Sequence, residues 1–199
     1  GQYMPDSSVR DRLLPWLERW SMAGAPAAAS SFPSLSLGRF EEEAYLVQHG
    51  QRSETLYLLE TGLVRLFYTT PDGKERNKGF YSAGQITGPV SAAMTSSPAP
   101  FSIQALEPVE ALCFRYSDLL DAAGQSTEMA LLFRHMLAEA FIRNEQREAL
   151  LLTCNAEQRY QSLLEHEPHL LERVAQFHLA SYLGVDAVTL SRLKKKFRQ

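Results

Sequence analysis

Apolar positions change their period along the chain, and each change marks a different kind of structure. Val9 to Trp20 repeats at helical spacing, with Leu13, Leu14, Leu17 and Trp20 on one side and Pro15 interrupting or starting the helix. Ala23 to Ser34 is rich in Ala, Ser and Pro and reads as a connector. From Leu35 to Tyr116 the apolar runs shorten, and glycines at 38, 50, 62, 73, 84 and 88 separate β-branched, Leu-rich or aromatic stretches. Strands are expected at Ala44–Val47, Thr55–Glu60, Leu63–Thr69, Glu75–Tyr81, Phe101–Ala105 and Glu110–Phe114, with Asp72-Gly73 as a hairpin turn. Short strands broken by turns roughly every ten residues favour a sandwich or jelly roll over a parallel sheet.

Helical spacing returns at Thr127 to Thr153, where Met129, Phe133, Met136, Leu137 and Ala140 form a stripe that continues to Leu151. Phe141 and Ile142 widen that stripe, so one face is expected to meet the β domain and another a second copy of the helix in a homodimer. Asn144 and Arg147 on the stripe would tune its register. Asn155 and Gln158 have the spacing of a capping box, which opens a helix ending near Pro168; a short helix at Leu170–Val174 follows. The break at Thr153 to Asn155 is a candidate hinge.

The last stretch, Phe177 to Gln199, has the spacing of a helix-turn-helix. Ala180 permits close helix approach, Gly184 can turn the chain with positive φ, Asp186 can cap the next helix, and Leu190 anchors it. Leu179, Leu183, Val185 and Leu193 supply further apolar contacts. Outward positions on the second helix are Thr189, Ser191, Arg192, Lys194, Lys195, Lys196 and Arg198, a face suited to phosphates and base edges. A solvated basic helix end would carry the same charges, since cations are favourable at a helix C-terminus. The charges together with the Ala-Gly-Leu spacing point to DNA as partner.

Composition limits the alternatives. With 199 residues, 45% of them hydrophobic, the chain can bury a core, and a net charge of −3 means that any DNA affinity acts locally at the basic C-terminus. No apolar run approaches membrane-span length and the first twenty residues lack the order of a secretory signal, so no membrane partner and a cytoplasmic location are expected. The chain opens on Gly1 rather than Met, so residues are expected upstream. Cys113 and Cys154 are too few and too far apart for a disulfide scaffold or a metal cluster, and His49, His135, His166, His169 and His178 form no His-x-His pair. Neither a metal nor a cofactor is expected, and no Ser-His-Asp or Cys-His set indicates an enzyme.

The order of parts, a β-roll followed by a long helix and a helix-turn-helix, resembles the Crp/Fnr family of bacterial transcription regulators, built on a cyclic-nucleotide-binding-like jelly roll. The likeness is carried by the run from Tyr57 to Arg65, by Ser82 to Gly88, by Ile103 to Glu107 and by Leu179 to Arg192. It implies a double-stranded β-helix that senses a signal and a long helix that transmits it to the DNA-binding end. Gly84, Thr87 and Gly88 fall in the family's phosphate cassette, and Met136, Ala140 and Asn144 lie where a roll-bound effector would touch both subunits.

The departures from the family bear on the ligand. Cyclic-nucleotide-binding members have a ribose-binding Glu after the second cassette glycine and an Arg for the cyclic phosphate before the next strand. Here Pro89 follows Gly88, and residues 95–101 hold no cation. A buried phosphate without a cationic partner is costly, so cAMP is not the expected effector. The cysteine cluster of iron–sulfur members and a haem ligand pair are both missing. On the expected recognition helix, Ala187 and Val188 replace two of the family's base-reading residues and Arg192 matches, which implies a different sequence preference. Many members continue into a two-stranded wing beyond the point where this chain stops.

The resulting expectation is an α+β chain with an N-terminal helix and linker at residues 1–34, a jelly roll at 35–118, a dimerisation helix region at 119–153 and a helix-turn-helix domain without an evident complete wing at 154–199. Its expected function is DNA-binding transcription regulation as a homodimer, answering an unidentified small-molecule effector. The alternative is a ligand-binding or protein-interaction module whose degenerate helix-turn-helix does not bind DNA. A cupin-like enzyme on the same roll lacks the clustered His and carboxylate ligands that it would need.

Overall fold

A computed structural model describes the backbone of Gln2–Pro5 and residues 9–32 and 34–198; Gly1, residues 6–8, Pro33 of the expected connector and Gln199 lie outside the described residues. The β-strands are β1 (Gln2–Pro5), β2 (Ser36–Phe40), β3 (Tyr45–Val47), β4 (Thr55–Thr61), β5 (Leu63–Thr69), β6 (Glu75–Ser82), β7 (Ile86–Thr87), β8 (Ser102–Ala105) and β9 (Val109–Arg115). They form a jelly roll of two sheets, ordered β1-β2-β9-β4-β7 and β3-β8-β5-β6. The helices are α1 (Val9–Arg19), α2 (Ala25–Ser31), α3 (Val90–Thr95), α4 (Tyr116–Gln125), α5 (Thr127–Thr153), α6 (Ala156–His166), α7 (Leu170–Arg173), α8 (Gln176–Leu183) and α9 (Ala187–Lys196).

The antiparallel β4–β9 pair explains why this region reads as apolar runs and not as strict alternation. Its register sets Leu58 opposite Leu112 and Tyr57 opposite Cys113. Leu56, Leu58, Leu112 and Phe114 join a core with helical residues, whereas Tyr57, Leu59, Ala111 and Cys113 join a second core with Val64, Leu66 and Ile103. Both faces of the pair are covered, so both sets of alternating positions must be apolar.

The helices on the outer face include two, α2 and α4, that the sequence pattern misses. Ala23–Ser34 is not a plain connector: Ala25–Ser31 is helical, with Pro26 in its first turn, where a missing N–H costs nothing. Its Ala28 and the following Phe32 are buried beside Leu13 and Leu17 of α1. Helix α1 runs through Pro15, which neither starts nor ends it, and is part of the principal core. Arg12 fastens it further, reaching Glu60 at 2.7 Å and Glu110 at 3.3 Å. Helix α4, absent from the expected elements, buries Leu119 and Ala122 in the same core.

The molecule divides into two compact units: residues up to Leu66 together with Phe80–Glu139, and Phe67–Gly79 together with the chain from Ala140 onward. In the first, the N-terminal half of α5 buries Met129, Leu132 and Met136. In the second, the tip of the β5–β6 hairpin packs with the rest of α5 and with α6 to α9, so the break at Thr153 to Asn155 lies inside this unit. Asn155 and Gln158 do form the reciprocal capping box, each donor–acceptor distance being 2.9 Å.

Candidate nucleic-acid interface

Helix α8, a three-residue turn and helix α9 form the helix-turn-helix. Gly184, at φ 71°, closes α8 in the left-handed region that glycine adopts without a Cβ penalty. The Val185 N–H donates to the Ala180 carbonyl at 3.0 Å and the Gly184 N–H to Ser181 at 3.3 Å, the bond pair of a Schellman ending. Arg159 of α6 donates to the Leu183 carbonyl at 3.2 Å, satisfying another open acceptor of α8. Asp186 then caps α9, accepting from the Thr189 N–H at 2.7 Å; this backbone bond holds its carboxyl below the usual range.

Packing fixes which face of α9 is presented. Leu179, Leu183 and Leu190 are fully buried and Leu193 nearly so, with Ala180 small enough to admit the partner helix. Val185 is half-buried. Ser191, Arg192 and Lys195 are exposed, and Thr189 and Lys194 are partly covered. Lys196 is exposed but paired with Glu157 of α6 at 3.0 Å. Phe197 lies 5.9 Å from the Tyr160 ring, so the end of α9 rests on α6 by a ring contact as well. Of the expected outward residues, Ser191, Arg192, Lys195, Lys196 and Arg198 are therefore exposed, with Lys196 engaged by Glu157.

The β5–β6 hairpin is joined to this unit by contacts that sequence reasoning missed. Its three-residue loop closes with a left-handed Gly73 at φ 86° and a Thr70 N–H to Lys74 carbonyl bond of 2.8 Å. The Asn77 N–H donates to Ser181 Oγ at 2.9 Å, and that hydroxyl donates to the Glu75 carbonyl at 3.1 Å. Asn77 Nδ2 also donates to the His178 carbonyl at 2.9 Å. Arg147 Nη2 reaches the Asn77 carbonyl at 3.1 Å and the Tyr182 carbonyl at 2.6 Å, and its guanidinium lies 4.2 Å over the Tyr182 ring. Arg147 is thus not on a partner-facing stripe: it is turned inward to tie three segments together. Burial pushes the Tyr182 phenol well up, and its hydroxyl donates to Glu167 at 2.7 Å.

Between hairpin and helix-turn-helix runs a groove of about 520 Å³, bordered by Lys74, Arg76, Ser181, Gly184, Asp186 and Ala187.

The expected effector residues differ in their surroundings. Gly84, at φ 87°, packs under Trp16, where a Cβ would stand 3.1 Å from the indole; Gly88 lies against Leu56 and the Thr55 carbonyl. Thr87 is buried on β7 and Met136 is buried in the core, whereas Ala140 and Asn144 are exposed. After Pro89 the chain turns into α3, whose end at Ser96 accepts from Arg52 at 2.8 Å. Exposed apolar side chains on α5 are Leu131, Phe141, Ile142, Leu151 and Leu152. Among the described residues, no group of three or more His, Cys, Asp or Glu could hold a metal, and no helix is long and apolar enough to cross a membrane.

Comparison with known proteins bears on the fold. Residues 37–126 match the cyclic nucleotide-binding domain. The chain is similar to the fumarate and nitrate reduction regulatory protein of Yersinia pestis, 22% identical over 165 residues, covering 77% of this chain and 65% of that protein. The corresponding protein of Escherichia coli K12 is 26% identical over 168 residues with the same coverage, so the match spans about two thirds of these relatives' length. Among solved structures, FixK2 of Bradyrhizobium japonicum superposes with a TM-score of 0.70 at 22% identity, covering 81% of this chain and 83% of that one.

Proposed function

We propose that the chain is a transcription regulator of the Crp/Fnr type: a homodimeric, non-enzymatic DNA-binding protein whose β-roll answers an unidentified effector. The observation that carries the DNA reading is the α8–α9 pair: a capped, closely packed recognition helix that turns Ser191, Arg192 and Lys195 outward. In this reading Arg192 donates to a guanine edge, Thr189 and Ser191 meet phosphate or base edges, and Lys194, Lys195 and Lys196 neutralise phosphates.

The exposed apolar side chains Phe141, Ile142, Leu151 and Leu152 on α5 support dimerisation through that helix, because a second copy would cover apolar surface left open there. The cassette supports an effector other than cAMP. Its sequence lacks the phosphate-binding Arg, and Arg52, the side chain that reaches the end of α3, is taken up there by the Ser96 carbonyl. Gly84, Thr87 and Gly88 remain the roll's candidate contacts, with Ala140 and Asn144 on the accessible face of α5. Fluorescence anisotropy of the purified chain with genomic duplexes across a salt series, with and without cAMP, tests the reading. Salt-steep, fragment-selective binding that cAMP leaves unchanged is expected; no binding at low salt would favour the protein-interaction module instead.

A further inference from the structure

Cations on the DNA-binding unit are not confined to α9. Lys74 ends the hairpin loop and Arg76 lies near the start of β6, two residues further on. Both are exposed, Arg76 is near enough to Asp72 of the hairpin loop to help lower that carboxyl's pKa, and both border the groove that contains the turn and the first residues of α9. We propose that the β5–β6 hairpin is a second DNA-contacting element, in which Lys74 and Arg76 donate to backbone phosphates beside the N-terminal end of α9. This rests on the DNA-binding reading and adds the hairpin to it.

The charge distribution along α9 gives the reason. Its first turn, Ala187 to Leu190, carries no cation, and its basic residues begin at Arg192 and crowd the last turn. A helix of ten residues is about 15 Å long, slightly more than the roughly 12 Å width of a major groove, so its two ends approach phosphates of opposite strands. The last turn carries Lys194 and Lys195, the first turn carries no cationic side chain, and the hairpin's Lys74 and Arg76 border the groove beside it.

The hairpin is also held firmly enough to position that charge. The Asn77–Ser181–Glu75 bonds and the Arg147 bridge fix β6 to α8 immediately after Arg76, so ordering the cations costs little beyond their own rotamers. Two acids border the same groove. They are Glu75 and Asp186, and Asp186 is committed to its cap.

The test compares the full-length chain with a Lys74→Ala/Arg76→Ala variant on a fluorescent duplex that the unaltered protein binds selectively. Loss of two phosphate contacts should flatten the slope of log affinity against log salt by about 1.8 and weaken binding about tenfold or more at roughly 0.1 M salt. Fragment preference should be retained, and a Lys74→Arg/Arg76→Lys variant should behave as the unaltered protein does. Thermal unfolding of the Ala variant should be unchanged, since both side chains are exposed. An unchanged slope in a protein that still binds DNA would overturn the hairpin's role and leave the regulator reading standing. An unchanged slope combined with lost binding of inorganic pyrophosphate in calorimetry would instead make the groove a small-anion site. Absence of DNA binding in the unaltered chain would overturn both readings.

Discussion

Ser181 of α8 and Asn77 of β6 meet as if they were neighbouring strands: the Asn77 N–H donates to the Ser181 hydroxyl at 2.9 Å, and the same hydroxyl donates to the Glu75 carbonyl at 3.1 Å. One side chain thereby satisfies both a donor and an acceptor along a sheet edge that would otherwise need water or another strand. Ser181→Ala should destabilise the unit by about 1–2 kcal/mol, because it leaves the Asn77 N–H without its partner. Urea unfolding followed by tyrosine fluorescence and by circular dichroism measures this. A midpoint equal to that of the unaltered chain would show that water replaces the hydroxyl at no cost.

Arg147 does a job that lysine cannot. It spans the Asn77 and Tyr182 carbonyls from one nitrogen while its flat face covers the Tyr182 ring, and desolvation by burial lowers its affinity for its proton. Arg147→Lys should lose the stacking and one of the two bonds, at about 1–3 kcal/mol, and Arg147→Met should leave both carbonyls unmet. If Arg147→Lys were as stable as the unaltered chain under denaturant, charge alone would account for the site.

The two cysteines should separate cleanly by reactivity. Burial pushes the Cys113 thiol up to about 12, while Cys154 is only partly covered at the end of α5. Alkylation with iodoacetamide at about pH 8, read by mass spectrometry, should label Cys154 first and Cys113 only on unfolding, because the thiolate is the reactive form. The same shift has a stability consequence. The folded state holds the Cys113 proton more tightly, so its contribution is fully present below about 9, the ordinary value, and is lost as pH rises toward about 12. A Cys113→Ala variant should show a shallower alkaline loss of stability; an identical profile would contradict the assignment.

Glycines at two hairpin turns should differ sharply in tolerance. Gly62 joins β4 to β5 at φ 92°, and a Cβ there would collide with the Pro108 carbonyl and approach Val109. Gly73 has φ 86° and nothing within 4 Å. Gly73→Ala should therefore cost only the left-handed strain of about 1–2 kcal/mol, whereas Gly62→Ala should cost more because backbone must move. Comparable melting temperatures for the two variants would contradict this difference.

Much of this was legible in the sequence wherever a local rule dictates geometry. The span Thr127–Thr153, the Asn155–Gln158 box, the Gly184 turn and the Asp186 cap follow from periodicity and capping chemistry, which depend on few neighbours. What escaped depended on tertiary context. Strand β2 (Ser36–Phe40) is held by pairing with β9, and α2 is short and Ala-rich, stabilised by burying Ala28 against α1 rather than by an apolar stripe. Arg147 shares the helical spacing of the α5 stripe, and nothing local distinguishes a cation that meets a partner helix from one that meets two carbonyls. Asn77 and Ser181 are 104 residues apart, beyond the reach of any sequence window. In the candidate interface, the cationic face of α9 could be read from spacing; the hairpin cations beside it could not.

DNA binding across a salt series by the unaltered chain, a Lys194→Ala/Lys195→Ala/Lys196→Ala variant and an Arg192→Ala variant tests the central claim most directly. The regulator account predicts selective binding by the unaltered chain and a slope of log affinity against log salt that falls by about 2–3 in the lysine variant. For Arg192→Ala it predicts loss of fragment preference, by about 1–3 kcal/mol at the contacted base pair. No binding even at about 50 mM salt, where phosphate contacts are strongest, or binding that neither variant alters, would contradict it.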